Sequence, residues 1–279
     1  MRDPSSLPGW LAARVLHIRP DVLVIDKPAG LPIDPGRPPA ATPTALAARP
    51  GRNAPGGGGN TPRGKGQPAR GTKPSLADWL PLLQLGRRHP PQPVHRLDTD
   101  TAGCLVLGRT RPSLGLLGAL FADRRAEKTY WAVVAGRPRT AAGTLDAPLR
   151  KVSTREAGWR MEAHPEGQPA RTAWRLLGGA ETGEGPLSWL ELRPETGRTH
   201  QLRVHCALLG CPILGDPLYG AGRERGGPMH LLARAIALPL DPPLAAEAPV
   251  PPEMAAAFAR CGAPLAATPP RLPLPPDPS

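Results

Sequence analysis

The apolar residues of this chain fall into short runs, and that spacing constrains its fold more than any other feature. Val22–Ile25, Cys104–Leu107, Lys128–Val134, Thr172–Leu177, Leu187–Arg193 and Met229–Leu240 each have the length and the β-branched or alternating character of a strand. Val15–Ile18 precedes the first of them across a Pro20-Asp21 turn. Helical patterns come only at intervals. Ser75 is placed to cap one, with Asp78 three residues on. Ser113–Phe121 carries Leu114, Leu117 and Phe121 on one side. Thr199–Leu209 has Thr199 as a cap and Gly210 as a stop, and a last short helix fits residues 250–261. Strands and helices do not alternate in the rhythm of a doubly wound fold. The pattern predicts an α+β domain over residues 14–261, with a mixed, largely antiparallel central sheet flanked by helices.

Two segments break the pattern. Residues 37–73 hold seven prolines, eight glycines, seven basic residues and no acid, so they carry +7 of the chain's net +12. Such a composition buries too little apolar surface to order itself. It predicts a flexible basic insert, either a solvated linker or an arm with nonspecific affinity for phosphates. Residues 262–279 read as a disordered proline-rich tail. The basic balance favours a polyanionic partner, nucleic acid before membrane, although an arginine-rich proteome gives the same balance.

Cys104, Cys206, Cys211 and Cys261 form no C-x-x-C pair and no zinc spacing, so no metal is expected. Residues 1–16 contain no apolar core of a signal peptide, and no run reaches the ~18 apolar residues of a membrane span. A monomer in a reducing cytoplasm, away from membranes, is the expected setting.

Two polar runs carry chemistry. In His95-Arg96-Leu97-Asp98-Thr99-Asp100-Thr101-Ala102-Gly103, a carboxylate lies between an apolar residue and a small-residue turn that enters a buried strand. Asp98 is either a turn former or a reactive group in a cleft; Asp100, nearer the glycine, suits the turn role better. In Gly197–His205, Arg198, His200, Arg203 and His205 crowd one helix start. Cations so close repel unless an anion balances them, and a phosphate or a buried carboxylate would do so.

Together these runs resemble the RluA-type family of RNA pseudouridine synthases. His95–Asp98 with Thr101 and Gly103 matches one family pattern, with Ala102 in place of the usual serine. Gly197–His205 matches a second without departure. Gly210, Pro212, Ile213, Gly215, Asp216, Tyr219 and Gly220 match a third. Lys128, Tyr130, Ala132, Val134 and Gly136 match the motif between, and Asp26–Pro32 the opening segment. Leu232 stands where the family commonly has histidine. The S4-type domain of many relatives is not expected, because the first strand begins near residue 14.

The resemblance implies a pseudouridine-synthase-like catalytic domain that isomerises uridine to pseudouridine in ribosomal or transfer RNA, with no cofactor. Asp98 would meet the sugar, at C1′ or at the 2′ proton, where glycosidic cleavage builds positive charge. It must be ionised in a water-poor pocket, which burial opposes and an arginine favours. Arg203 is the partner implied by the match. Tyr130 would pack on uracil; a phenol with a pKa near ~10 is a poor unaided base. Arg96 would enter the space vacated by the flipped nucleotide, or contact a phosphate. His95, Arg198 and His200 would serve as scaffold or RNA-backbone contacts. The alternatives are a catalytically silent RNA-binding protein of the same fold, and a glycoside hydrolase using Asp98 and Asp100, whose spacing suits that chemistry poorly.

Overall fold

The computed structural model describes residues 6–34, 74–154, 158–220 and 227–263. The basic insert lies outside the described residues, and so does the tail from residue 264.

In chain order the elements are α1 (Gly9–Ala12), β1 (Val15–Ile18), β2 (Val22–Lys27), β3 (Gln92–Pro93), β4 (Ala102–Gly108), α2 (Arg111–Ala122), β5 (Glu127–Ala135), β6 (Ala142–Asp146), β7 (Leu149–Thr154), β8 (Gly158–Ala163), β9 (Arg171–Ala180), β10 (Leu187–Pro194), α3 (Gln201–Leu208), β11 (Leu231–Leu238), β12 (Leu244–Glu247) and α4 (Pro252–Arg260). The main sheet runs β1-β2-β4-β11-β5-β10-β9-β6, with β12 on β11 and β3 on β4; β7 and β8 form a separate hairpin. Every pairing is antiparallel except β4–β11. The expected α+β class and largely antiparallel sheet are therefore observed.

The central strands read as unbroken apolar runs because both of their faces are buried. Along β2 and β4, Val22, Val24, Ala102, Cys104 and Val106 join one core, shared with Leu117 and Leu120 of α2 and Met254 and Phe258 of α4. Leu23, Ile25, Leu105 and Leu107 point the other way, onto Leu11 of α1 and onto Leu76 and Leu83 in two 3₁₀ turns. Further along that second face, Ala132, Val134, Leu190 and Leu192 pack under Leu202 and Cys206 of α3. Trp131 and Trp189 meet edge to face on the first side at 4.7 Å. Leu232, in the place of the family's histidine, is fully buried in that apolar core.

The parallel contact of β4 with β11 demands a glycine. Gly103 pairs with Ala233 at φ +109°, and a Cβ there would sit inside the Ala233 carbonyl oxygen. Left-handed backbone and close approach both exclude a side chain at this position.

Some expectations change in detail. The Ser75–Asp78 capping box is present, but it opens only a 3₁₀ turn, Leu76–Asp78. Thr199 does not cap α3. The cap position is His200, in left-handed backbone (φ 53°), with no side-chain cap. Instead the Gln201 amide oxygen accepts from the Arg198 amide at 3.0 Å and from the Thr196 hydroxyl at 2.7 Å. The two ends of the chain that flank the basic insert are joined directly: Leu76 N donates to Pro32 O at 2.8 Å and Ala77 N to Ile33 O at 3.2 Å.

The α2 start carries a reciprocal cap. Ser113 N donates to Thr110 Oγ1 at 3.2 Å and Thr110 N to Ser113 Oγ at 3.1 Å. Thr110→Ala is expected to destabilise the protein by ~1 kcal/mol through loss of this cap. A urea midpoint unchanged from the parent would show that the cap contributes nothing.

Candidate active site

Tyr130 packs against both the α1-side and the α3-side cores of the second face, so it lies where those two cores meet. A cleft of about 420 Å³ opens there. That is within the ~300–1,000 Å³ range of small-molecule pockets. Its walls are the Asp98 turn, Lys128 and Tyr130 of β5, the β10–α3 connection, and Leu231. Arg96, Arg124, Lys128, Arg198 and Arg203 line it with Asp98 and Glu195 as the acids, so the field favours an anion. A larger hollow, about 1450 Å³, is lined by Gly210, Pro212, Ile213, Gly215 and Asp216 of the third motif and does not include Asp98, Tyr130 or Arg203.

Asp98 sits in the turn that enters β4, closed by Thr101 N donating to Asp98 O at 3.1 Å. Leu97 anchors the turn in the core. Lys27, at the end of β2, anchors it a second time. Its side chain is fully buried, and its ammonium donates to Pro28 O (2.8 Å), Leu31 O (2.9 Å) and Thr99 O (2.9 Å). All three of its protons are used. Burial lowers its pKa to about 8, against the opposing charges of Asp100 and Asp98, so it is still charged at neutral pH. Sequence reasoning placed Lys27 only in a matching segment and missed this clamp; a lysine separated by one residue from a buried β-branched run was the available signal.

Asp98 keeps 18% of its side chain exposed. Arg203 Nη1 lies 3.9 Å from its Oδ2, bringing residues from two distant motifs together. The short bonds of Arg203 go elsewhere, however. Its Nε and Nη2 donate to the two Asp216 oxygens at 2.8 Å each, with the carboxylate wholly buried. Asp98 is thus the second partner of Arg203, not its first as the motif match implied. The reason is geometric: the guanidinium fork fits one carboxylate side-on and leaves only an outer nitrogen for another. Burial alone would raise the Asp216 pKa. The hydrogen bonds and charge of Arg203, with amide donors from Tyr219 and Leu218, outweigh it and hold the group below the usual carboxylate range.

Burial, with smaller help from the Asp98 charge, pushes the Tyr130 phenol well above its ordinary pKa. It is therefore neutral, which makes it a poor unaided base. Lys128 beside it is shifted down by burial. Arg96 is exposed at the cleft mouth. Arg198 reaches outward to Pro169 O at 3.0 Å.

His95 is tied into the framework at the cleft wall. Its Nε2 accepts from Val106 N at 2.9 Å, and its ring stacks on Phe121 at 4.4 Å. Burial, then Lys128, lowers its pKa to about 3, so the ring is neutral. His200 Nδ1 lies 2.9 Å from the Tyr219 hydroxyl, and its Nε2 3.9 Å from Asp98 Oδ2. Its left-handed backbone, uncommon outside glycine, costs ~1–2 kcal/mol. Among the described residues, no group of three or more His, Cys, Asp or Glu is placed to hold a metal ion.

Comparison with known proteins agrees with this geometry. The family model described as RNA pseudouridylate synthase matches residues 21–208. An uncharacterized RNA pseudouridine synthase of Zymomonas mobilis is 37% identical over 245 residues, covering 86% of this chain and 95% of that protein. The ribosomal large subunit pseudouridine synthase D of the same organism is 37% identical over 131 residues, 47% of this chain and 40% of that protein. Several other relatives are longer, with 33% to 53% of their length matched. The solved structure of human RNA pseudouridylate synthase domain containing 4 shares the fold, with TM-score 0.66 at 24% identity over 91% of this chain and 94% of that one. With the motif residues gathered in one cleft and the match running through most of the chain, the protein belongs to the RluA-type RNA pseudouridine synthase family, isomerases that convert uridine in RNA to pseudouridine.

Proposed function

We propose that this chain isomerises uridine in structured RNA, of the large ribosomal subunit or of transfer RNA, with Asp98 acting at the sugar. The observation that carries the reading is a partly exposed carboxylate, Asp98, beside a buried guanidinium, at a cleft where cationic side chains outnumber the acids. The target nucleotide leaves its stack to enter the cleft, at a cost of a few kcal/mol that favours loops and weakly paired stems. Uracil then packs on neutral Tyr130, and Arg96 at the mouth fills the vacated stack or holds a phosphate. The N1–C1′ bond breaks, positive charge grows at C1′, and Asp98 meets it. After the ring turns, C5 bonds to C1′; in sum the C5 proton leaves and N1 gains one. The reaction is redox-neutral. Similarity to a ribosomal large subunit synthase supports a ribosomal target, and a monomer in the cytoplasm is the form we assign to it.

The test is pseudouridine mapping across total cellular RNA from cells with and without this protein. At least one uridine in ribosomal or transfer RNA is expected to lose its modification. An unchanged map alongside undiminished RNA binding would leave the catalytically silent RNA-binding protein as the correct reading.

A further inference from the structure

We infer that His200 is a positioning residue for the Asp98 carboxylate: a neutral imidazole locked by Tyr219 in the Nε2–H tautomer, and so a fixed donor facing the acid. This rests on the reading of Asp98 as the reacting group.

The chain of contacts starts outside the main sheet, in the β7–β8 hairpin. The Met161 amide donates to the Tyr219 hydroxyl at 2.9 Å. An amide N–H only donates, so the hydroxyl accepts there and has its own proton to give. His200 Nδ1, 2.9 Å away, receives it. An accepting Nδ1 leaves the ring proton on Nε2. That nitrogen faces Asp98 Oδ2 at 3.9 Å. The ring has little freedom to turn away. Trp159 stacks on it at 5.0 Å and 22°, and Tyr219 meets it edge-on at 5.6 Å.

Two further observations agree. His200 holds left-handed backbone, and strain of this kind persists where the surroundings fix it for a purpose. Its charged neighbours are Asp98, Arg203, Asp216 and Arg96; burial, the largest influence, and the two arginines lower its pKa against the opposing charges of Asp98 and Asp216. The arrangement also complements Arg203. That guanidinium is committed to Asp216 and supplies charge near the acid. A neutral donor supplies direction, and at 3.9 Å it leaves the carboxylate free to turn toward the sugar.

The first test needs no RNA. Imidazole ¹⁵N spectra at neutral pH, with His200 assigned by the loss of its signals in His200→Gln, are expected to show the Nε2–H tautomer. In Tyr219→Phe the same signals are expected to move to a tautomer mixture. A His200 that is Nδ1–H or doubly protonated in the unaltered protein overturns the proposal.

The second test is single-turnover tritium release from [5-³H]uridine-labelled RNA of cells lacking the protein. His200→Leu is expected to slow release about 10- to 100-fold, the range of one hydrogen bond to a charged group, with the half-saturating enzyme concentration unchanged. His200→Gln, which keeps an N–H near the Nε2 position, is expected to recover most of that rate. Tyr219→Phe, which keeps the ring, is expected to fall between them. Equal rates for the Leu and Gln variants, or an unslowed Tyr219→Phe, overturn the proposal by reducing His200 to packing. No tritium release by the unaltered protein would instead strike the reading of the reaction itself, while the spectra would still report the tautomer.

Discussion

Asp98→Asn is expected to lower pseudouridine formation by at least ~10³-fold, because it removes the charge proposed to meet the sugar and keeps the side chain's shape. RNA affinity, on the same proposal a property of the basic cleft walls, is expected to stay within about threefold. The pairing of the two results is the point. A binding module would be indifferent to both readouts, and a purely structural aspartate would lose stability with activity. The Asp98 turn is held independently by Leu97 and by the Lys27 ammonium on Thr99, so the variant is expected to melt as the parent does. Tritium release within tenfold of the parent would remove Asp98 from the chemistry.

Asp216→Asn is expected to be the most damaging single change to stability among the polar residues of the site. The pair it breaks is buried on both sides, with 5% of Arg203 and none of Asp216 exposed. Removing one charge of such a pair strands the other and costs about 3–5 kcal/mol. At roughly 2–4 °C per kcal/mol for a chain of this size, the melting temperature is expected to fall by about 6–20 °C. Turnover is expected to fall as well, because Arg203, 3.9 Å from Asp98, loses the carboxylate that fixes its orientation. The pH dependence has a definite sign. The Asp216 pKa is held below its ordinary 3.8. Its stabilising effect is complete above that value and disappears as the pH falls through the folded-state value. The stability difference between parent and variant is therefore expected to be flat from about pH 5 to 8 and to narrow only in strong acid. A gap that closes near neutrality would mean that another group carries the effect.

What the sequence revealed depended on burial. β2, β4, β5, β10 and β11 were legible because two covered faces leave an unbroken apolar signature. β6, β7 and β8 were not, since their residues are mostly exposed and their pairing is set by partners rather than by hydrophobic pattern. Tyr130, Asp98 and Arg203 were found as members of motifs, and the fold places all three at one cleft. Their hierarchy was not readable. Nothing along the chain says that Arg203 spends its short bonds on Asp216, that Gln201 and not Thr199 ties the start of α3, or that His95 turns inward to Val106. These are choices among several plausible partners, and only three-dimensional distance decides them.

The rungs between Pro32–Ile33 and Leu76–Ala77 settle how this protein tolerates its long basic stretch. The backbone departs and returns at one fixed stitch, close to the lysine that grips the acid's turn. That stitch and the lysine clamp hold the acid's turn through contacts between residues on either side of the insert.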